Sequence, residues 1–188
     1  MTDWYYAPNI ASALRASEPK CGSTTLITID GPSGSGKTQL ARKLSFELDN
    51  APVVHMDDLY EGWTHAFEPV MTERIMAWII TPLLSGLPIH HLCYDWAEKK
   101  FNDWRTLPSS PFVIIEGVGA GTTALRKYVS QSIWIEADEE LLFDRVLQRD
   151  GEAIRDEMLI WKSREASYFE LHNVKQSAMI HLSGQPHK

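Results

Sequence analysis

Apolar residues recur along the chain in two rhythms, short continuous runs and runs spaced as on a helix face. Thr25-Leu26-Ile27-Thr28-Ile29 is rich in β-branched residues and predicts a strand. From Lys37 to Leu48 the apolar positions 40, 41, 44 and 48 fall on one side of a helix. Residues 52–56 predict a second strand. Phe112-Val113-Ile114-Ile115, after Pro111, is a continuous apolar run of the kind buried in a parallel sheet. Strands are also expected at 132–135 and 178–182. Helices are expected at 9–17, near 71–84, from a cap at Asp138 to about Arg149, and at 155–171. Pro19 to Ser23 is a breaker-rich linker. Alternation of strand and helix implies a parallel sheet wrapped by helices. The stretch 57–110 is less regular.

With 188 residues, 44% hydrophobic and 23% charged, the chain suits one globular domain with its own core. An N-terminal extension over 1–24 precedes the first strand. A net charge of −7, with Lys and Arg scattered, argues against a nucleic-acid partner but leaves room for a small anion held locally. Cys21 and Cys93 lack a C-x-x-C spacing, so neither a disulfide framework nor a zinc site is expected. The N-terminus lacks a basic segment followed by an apolar run, and no apolar stretch approaches the roughly 18 residues that span a bilayer. These features predict a cytoplasmic protein without a membrane partner.

The most specific signal is Gly31-Pro32-Ser33-Gly34-Ser35-Gly36-Lys37-Thr38, which fits G-x-x-x-x-G-K-[ST] at every defined position. A strand precedes it and a helix follows. Its glycines allow backbone N–H groups to turn around phosphate oxygens, and the helix N-terminus adds positive potential. Gly31, Ser33, Gly34, Ser35, Gly36, Lys37, Thr38 and Gln39 are therefore the expected ATP-binding residues. Lys37 would reach the β- and γ-phosphates, and Thr38 would ligate Mg²⁺.

Ligands of open α/β sheets lie beyond the carboxyl ends of the strands. Asp57 and Asp58 follow the second strand, and Glu116 ends the apolar run 112–115. Asp57, first off the strand, is the candidate base for an acceptor hydroxyl, while Asp58 reads as a helix cap or a solvated turn in preference to a site residue. Glu116 is a candidate metal ligand that also faces the substrate. A single acid at that strand end, in place of an Asp-Glu pair, leans towards transfer to a substrate over water activation. Arg145 and Arg149 share a helix face, Asp150-Gly151 breaks the helix, and Arg155 follows. Residues 145–156 would form an arginine-rich lid that stabilises phosphoryl charge, or the arginines would pair with Glu152, Asp156 and Glu157 at the surface. Trp63, Trp96 and Trp104, with Tyr60 and Tyr94, would stack on an acceptor ring or plug a small core. His90 and His91 have no metal-ligand spacing and read as packing or surface residues.

Together these residues resemble the uridine kinase family of P-loop nucleoside kinases, over roughly residues 25–182. Asp57-Asp58-Leu59-Tyr60 looks like the family's Asp-x-Phe-Tyr, which assigns the catalytic base to Asp57. Leu87-Pro88 followed by Tyr94-Asp95-Trp96 looks like its Pro-x-Tyr-Asp-Phe substrate segment, which assigns Tyr94, Asp95 and Trp96 to the acceptor, with Tyr60 of the preceding motif beside them, and makes 57–110 the expected acceptor-binding region. Ile115-Glu116-Gly117 looks like its Glu-Gly strand end, and Arg145-x-x-x-Arg149-Asp150 looks like its lid. The family's His and Arg after Tyr-Asp-Phe are replaced here by Ala97-Glu98-Lys99-Lys100, and the segment from Pro88 to Tyr94 is longer. The resemblance implies a three-layer P-loop fold and transfer of phosphate from Mg²⁺-ATP to a hydroxyl of a small molecule. A uridine- or cytidine-like nucleoside is the expected acceptor. The alternatives are a sugar, shikimate-like or nucleotide acceptor, or a nucleotide-binding regulator or slow ATPase with no acceptor.

Overall fold

The computed structural model describes residues 7–185. Five strands build the central sheet: β1 (Thr25–Asp30), β2 (Val53–His55), β5 (Phe112–Glu116), β6 (Gln131–Glu136) and β7 (Ile180–Ser183). They lie in the order β2-β5-β1-β6-β7, and every neighbouring pair is parallel. Strands β3 (Ile89–Asp95) and β4 (Lys100–Leu107) form a separate antiparallel hairpin. The helices are α1 (Ala7–Arg15), α2 (Lys37–Glu47), α3 (Pro69–Ile75), α4 (Thr81–Leu84), α5 (Glu139–Asp150), α6 (Arg155–Leu171) and α7 (Val174–Ser177).

Alternate residues of the strands feed two cores, one on each face of the sheet. Ile27, Ile29, Ile114, Ile133 and Ile135 pack with α1 and α2. Leu26, Val54, Val113, Ile115 and Trp134 pack with α3, α4 and α6. Both faces of β1 and β5 are thus buried, which is why those strands read as unbroken apolar runs. Ala7, Ile10, Ala11 and Leu14 are buried in the first core, so α1 is part of the packed body.

Several boundaries differ from the sequence reading. The first helix starts at Ala7 and ends at Arg15, and the last strand is Ile180–Ser183. The second strand stops at His55, and Met56–Asp58 forms a 3₁₀ turn, so Asp57 leaves a turn rather than a strand. The helical stretch expected near 71–84 begins at Pro69 and carries a π-helical turn at Met76–Ile80 between α3 and α4. Pro82 cannot donate to the carbonyl four residues back, and the wider turn lies just before it. Asp138 takes the N-cap position of α5 without a side-chain cap hydrogen bond.

The β3–β4 hairpin is the largest departure. Its turn is held by Asp95, whose Oδ1 accepts the N–H groups of Ala97 and Glu98, each at 2.9 Å, and whose Oδ2 accepts Asn102 Nδ2 at 3.0 Å. Those bonds lower the Asp95 pKa. Cys21 and Cys93 are both buried free thiols. Among the described residues no helix is long and apolar enough to cross a membrane.

Candidate active site

Strand order reverses at β1, which has β5 on one side and β6 on the other, and a ligand crevice is expected at such a switch point. The loop from β1 to α2 occupies it. Gly34 has φ 83°, and a Cβ there would come within 2.4 Å of the Leu142 carbonyl oxygen on α5. Only glycine lets the loop turn in that space. Lys37 is buried, and its Nζ donates to the carbonyls of Gly31 at 2.7 Å and Pro32 at 2.9 Å. The Ser35 hydroxyl is enclosed without a hydrogen-bond partner. Thr38 and Gln39 are exposed on the first turn of α2.

Glu116, at the carboxyl end of β5, is almost fully buried. Its Oε1 accepts the Thr38 hydroxyl at 2.9 Å and meets His55 Nδ1 at 2.6 Å. The hydrogen bond that His55 donates to Glu116 raises the His55 pKa, burial opposes it, and the negative potential of Glu116, Asp58 and Asp57 adds to it. Thr38 and Glu116 therefore converge from two elements to give hard oxygen donors of the type Mg²⁺ prefers. The positive-φ glycines, the buried lysine and the enclosed Ser35 hydroxyl suit a bound polyphosphate.

Asp57 borders the same space. The residue is exposed to solvent, and the surrounding protein still desolvates its carboxylate. This desolvation raises its pKa, repulsion from Glu116 raises it further, and Lys37, Arg149 and His55 pull it back. Trp96 Nε1 donates to the Asp57 carbonyl at 3.1 Å, and its ring packs edge-on to Trp63 at 5.2 Å. Tyr94 meets Trp96 in the same manner at 5.4 Å. Trp63, Trp96 and Tyr94 thus form an aromatic wall beside Asp57. Trp104 is elsewhere, half exposed and stacked on His90 with ring centroids 4.5 Å apart.

Other expected residues stand differently. Tyr60 is 1% exposed and packs on Phe67 and Trp161, so it belongs to the core beneath the cleft and not to its wall. Asp95 is committed to its hairpin turn. Asp58 pairs with Arg105 at 2.5 Å. Arg145 donates to the carbonyls of Gly34 at 3.3 Å and Gly184 at 2.9 Å, and so braces the phosphate loop against the chain after β7. Arg149 forms a two-pronged pair with Asp150 at 2.7 and 2.6 Å, and Arg155 pairs with Glu152. The three guanidiniums thus have separate partners, and Arg149 still acts on the charge of Asp57 and Glu116.

Three supporting residues had no sequence signal. Asp30, at the end of β1, accepts N–H groups from Gly31, Gly119 and Gly121 and the Tyr168 hydroxyl. Burial pushes its pKa up to about 6, with Lys37 and those donors opposing. Glu165 on α6 accepts the Ser33 N–H and hydroxyl at 3.1 and 3.0 Å, together with Trp161 Nε1 at 3.1 Å. It fixes the tip of the phosphate loop. His55 is the third, tied to Glu116 as described above.

No protein-family profile matches the chain. Among curated proteins, the uridine kinase of Staphylococcus carnosus is 26% identical over 144 residues, covering 68% of this chain and 69% of that protein. The uridine kinase of Borrelia turicatae is 26% identical over 137 residues, 66% of each chain. A 108-residue stretch is 31% identical to the inorganic pyrophosphatase TTM1 of Arabidopsis thaliana, and it spans only 17% of that longer protein. Among solved structures, a possible uridine kinase from Bacillus stearothermophilus superposes with a TM-score of 0.69 at 20% identity, covering 94% of this chain and 96% of the other. A D-glycerate 3-kinase from Cryptococcus neoformans superposes with a TM-score of 0.58 at 12% identity, covering 97% and 94%. In sequence the chain is similar to uridine kinases over about two thirds of its length, and its fold is shared with the solved possible uridine kinase.

Proposed function

We propose that this protein is a small-molecule kinase that transfers phosphate from Mg²⁺-ATP to a hydroxyl of a nucleoside. The observation that carries the reading is the meeting, in one cleft, of the phosphate loop, the Thr38–Glu116 oxygen pair and Asp57 beside an aromatic wall. Mg²⁺-ATP would supply the phosphoryl group and the divalent charge. Thr38 and Glu116 would hold the metal, and Lys37 would offset phosphate charge at the loop. Asp57, its pKa raised by desolvation, would accept the proton of the attacking hydroxyl. Trp63 and Trp96 would hold a flat base so that its sugar hydroxyl lies near Asp57. Arg149 would leave Asp150 to meet the transferring group.

One observation favours a second acceptor class. The carboxylate of Asp95, assigned to the acceptor by resemblance, is used within the hairpin. An acceptor that needs no contact from that residue, such as a sugar or an organic acid with a hydroxyl, fits the same cleft. The test is ADP release by the pure protein with Mg²⁺-ATP and, one at a time, uridine, cytidine, hexoses and hydroxy acids, with the product identified by mass spectrometry. Nucleoside-dependent release with a nucleoside monophosphate as product is expected. Turnover with a sugar or hydroxy acid alone would replace the nucleoside, and ATP turnover indifferent to every acceptor would overturn the kinase reading.

A further inference from the structure

Strand β3 presents alternate side chains to the interior: Ile89, His91 and Cys93 are buried, while His90 faces solvent. His91 and Cys93 are two apart on a strand and therefore share a face. The 3₁₀ turn Met56–Asp58 packs against this face and brings Asp58 to the two side chains. One ligand atom from each of Asp58, His91 and Cys93 lies within 4.8 Å of the others.

The three groups are poorly satisfied by one another. His91 is fully buried, with Nδ1 3.1 Å from its neighbour's carbonyl at Leu92 and 3.8 Å from Cys93 Sγ. Its Nε2 has no hydrogen-bond partner. A buried ring nitrogen without a partner is costly, and so needs an explanation. When one imidazole nitrogen donates to a backbone carbonyl, the other presents its lone pair, the usual arrangement of a metal-binding histidine. Asp58 has a partner, the half-exposed Arg105, which holds only its Oδ2.

We propose that Asp58, His91 and Cys93 form a transition-metal site, filled by Zn²⁺ or an ion of similar softness. Nitrogen, sulfur and carboxylate oxygen are the donor types of Zn²⁺, and three protein ligands leave a fourth position for water. The set is unlike the all-oxygen Thr38–Glu116 pair, which suits Mg²⁺. Binding releases the Cys93 thiol proton to solvent, since the thiolate is the ligand. The ion would pin the β3–β4 hairpin, with Trp96 at its tip, to the turn that carries Asp57. Arg105 stands as a competing cation beside Asp58.

Co²⁺ titration of the reduced full-length protein tests this, because thiolate coordination gives a charge-transfer band that oxygen and nitrogen ligands do not. One equivalent is expected to bind with that band, Zn²⁺ to displace it, and Zn²⁺ to raise Tm. Cys93→Ser should abolish the band and Cys21→Ser should keep it. Asp58→Asn, at a partly exposed position that does not threaten folding, should weaken binding at least about tenfold. Arg105→Gln should tighten binding severalfold by removing the competing charge. No thiolate band in the wild type, or a band unchanged in Cys93→Ser, would overturn the site. So would Co²⁺ affinity that is indifferent to Asp58→Asn and Arg105→Gln.

Discussion

The Thr38 hydroxyl donates to Glu116 Oε1 across 2.9 Å, although 78 residues separate the two. β1 and β5 pair in parallel, with Ile29 opposite Glu116, and this register brings the end of β5 level with the phosphate loop. The helix after the loop then presents Thr38 to the acid. His55, one strand further out on β2, pairs opposite Glu116 and closes on the same oxygen.

This shared oxygen gives a prediction about Mg²⁺. Glu116→Gln preserves shape and keeps an acceptor for Thr38, but removes the charge. The Mg²⁺ concentration for half-maximal turnover should rise at least about tenfold, while metal-free ATP binding changes little. An unaltered Mg²⁺ requirement would remove Glu116 from the metal site.

Asp57 and Asp58 should not be equivalent, because Asp57 faces the cleft and Asp58 pairs with Arg105. Asp57→Asn should lower kcat roughly 10²–10⁴-fold, the usual range for loss of a general base. ATP affinity should persist, and Asp58→Asn should cost much less activity. Steady-state kinetics with ATP affinity measured separately decides between them; a larger loss at Asp58 contradicts the assignment.

The two helix arginines should also separate. Arg145 braces the phosphate loop through two backbone carbonyls. Its charged hydrogen bonds carry about 1.5–3 kcal/mol each, so Arg145→Ala should lower Tm and weaken ATP binding together. Arg149 forms an exposed pair with Asp150, of a kind worth about 0–1 kcal/mol. Arg149→Ala should leave Tm nearly unchanged and reduce kcat. A normal kcat would confine Arg149 to that pair.

The His55–Glu116 pair predicts a pH signature. Folding raises the His55 pKa, so its stabilising effect is complete below about pH 6.5 and fades as pH rises through the folded value. The stability difference between wild type and His55→Gln should therefore shrink from pH 6 to pH 9 in urea denaturation. Asp30 acts at lower pH: its pKa is raised to about 6, so its ionisation costs stability as pH climbs from about 4 to 6. A wild-type to His55→Gln difference that grows with pH would mean that His55 is not paired with Glu116 as a cation.

Much of the framework was legible because it is local. A phosphate loop is eight consecutive residues whose backbone closes on itself, so its glycines, Lys37 and Thr38 can be read without any partner. Strands β1 and β5 announced themselves because both faces are buried and every position before the closing acid is apolar or threonine. The hairpin did not, because β4 is exposed along almost its whole length and Lys-Phe-Asn-Asp-Trp-Arg-Thr-Leu carries no alternation. Its turn lacks a glycine; Lys99 takes the positive φ, and Asp95 supplies the bonds that a turn motif would have signalled.

By itself the sequence determined the parallel α/β architecture, the phosphate loop and the acids at the strand ends, since periodicity and contiguous backbone chemistry act over a few residues. Only the tertiary structure decided which groups meet. It sent Tyr60 into the core, spent Asp95 on a turn, tied Arg145 to the loop, and drew His55, Asp30 and Glu165 around the site. It also placed Asp58 against His91 and Cys93. Each of these contacts joins elements distant in the chain, and the register of the sheet with the packing of helices on its faces sets them, which no local pattern of residues records.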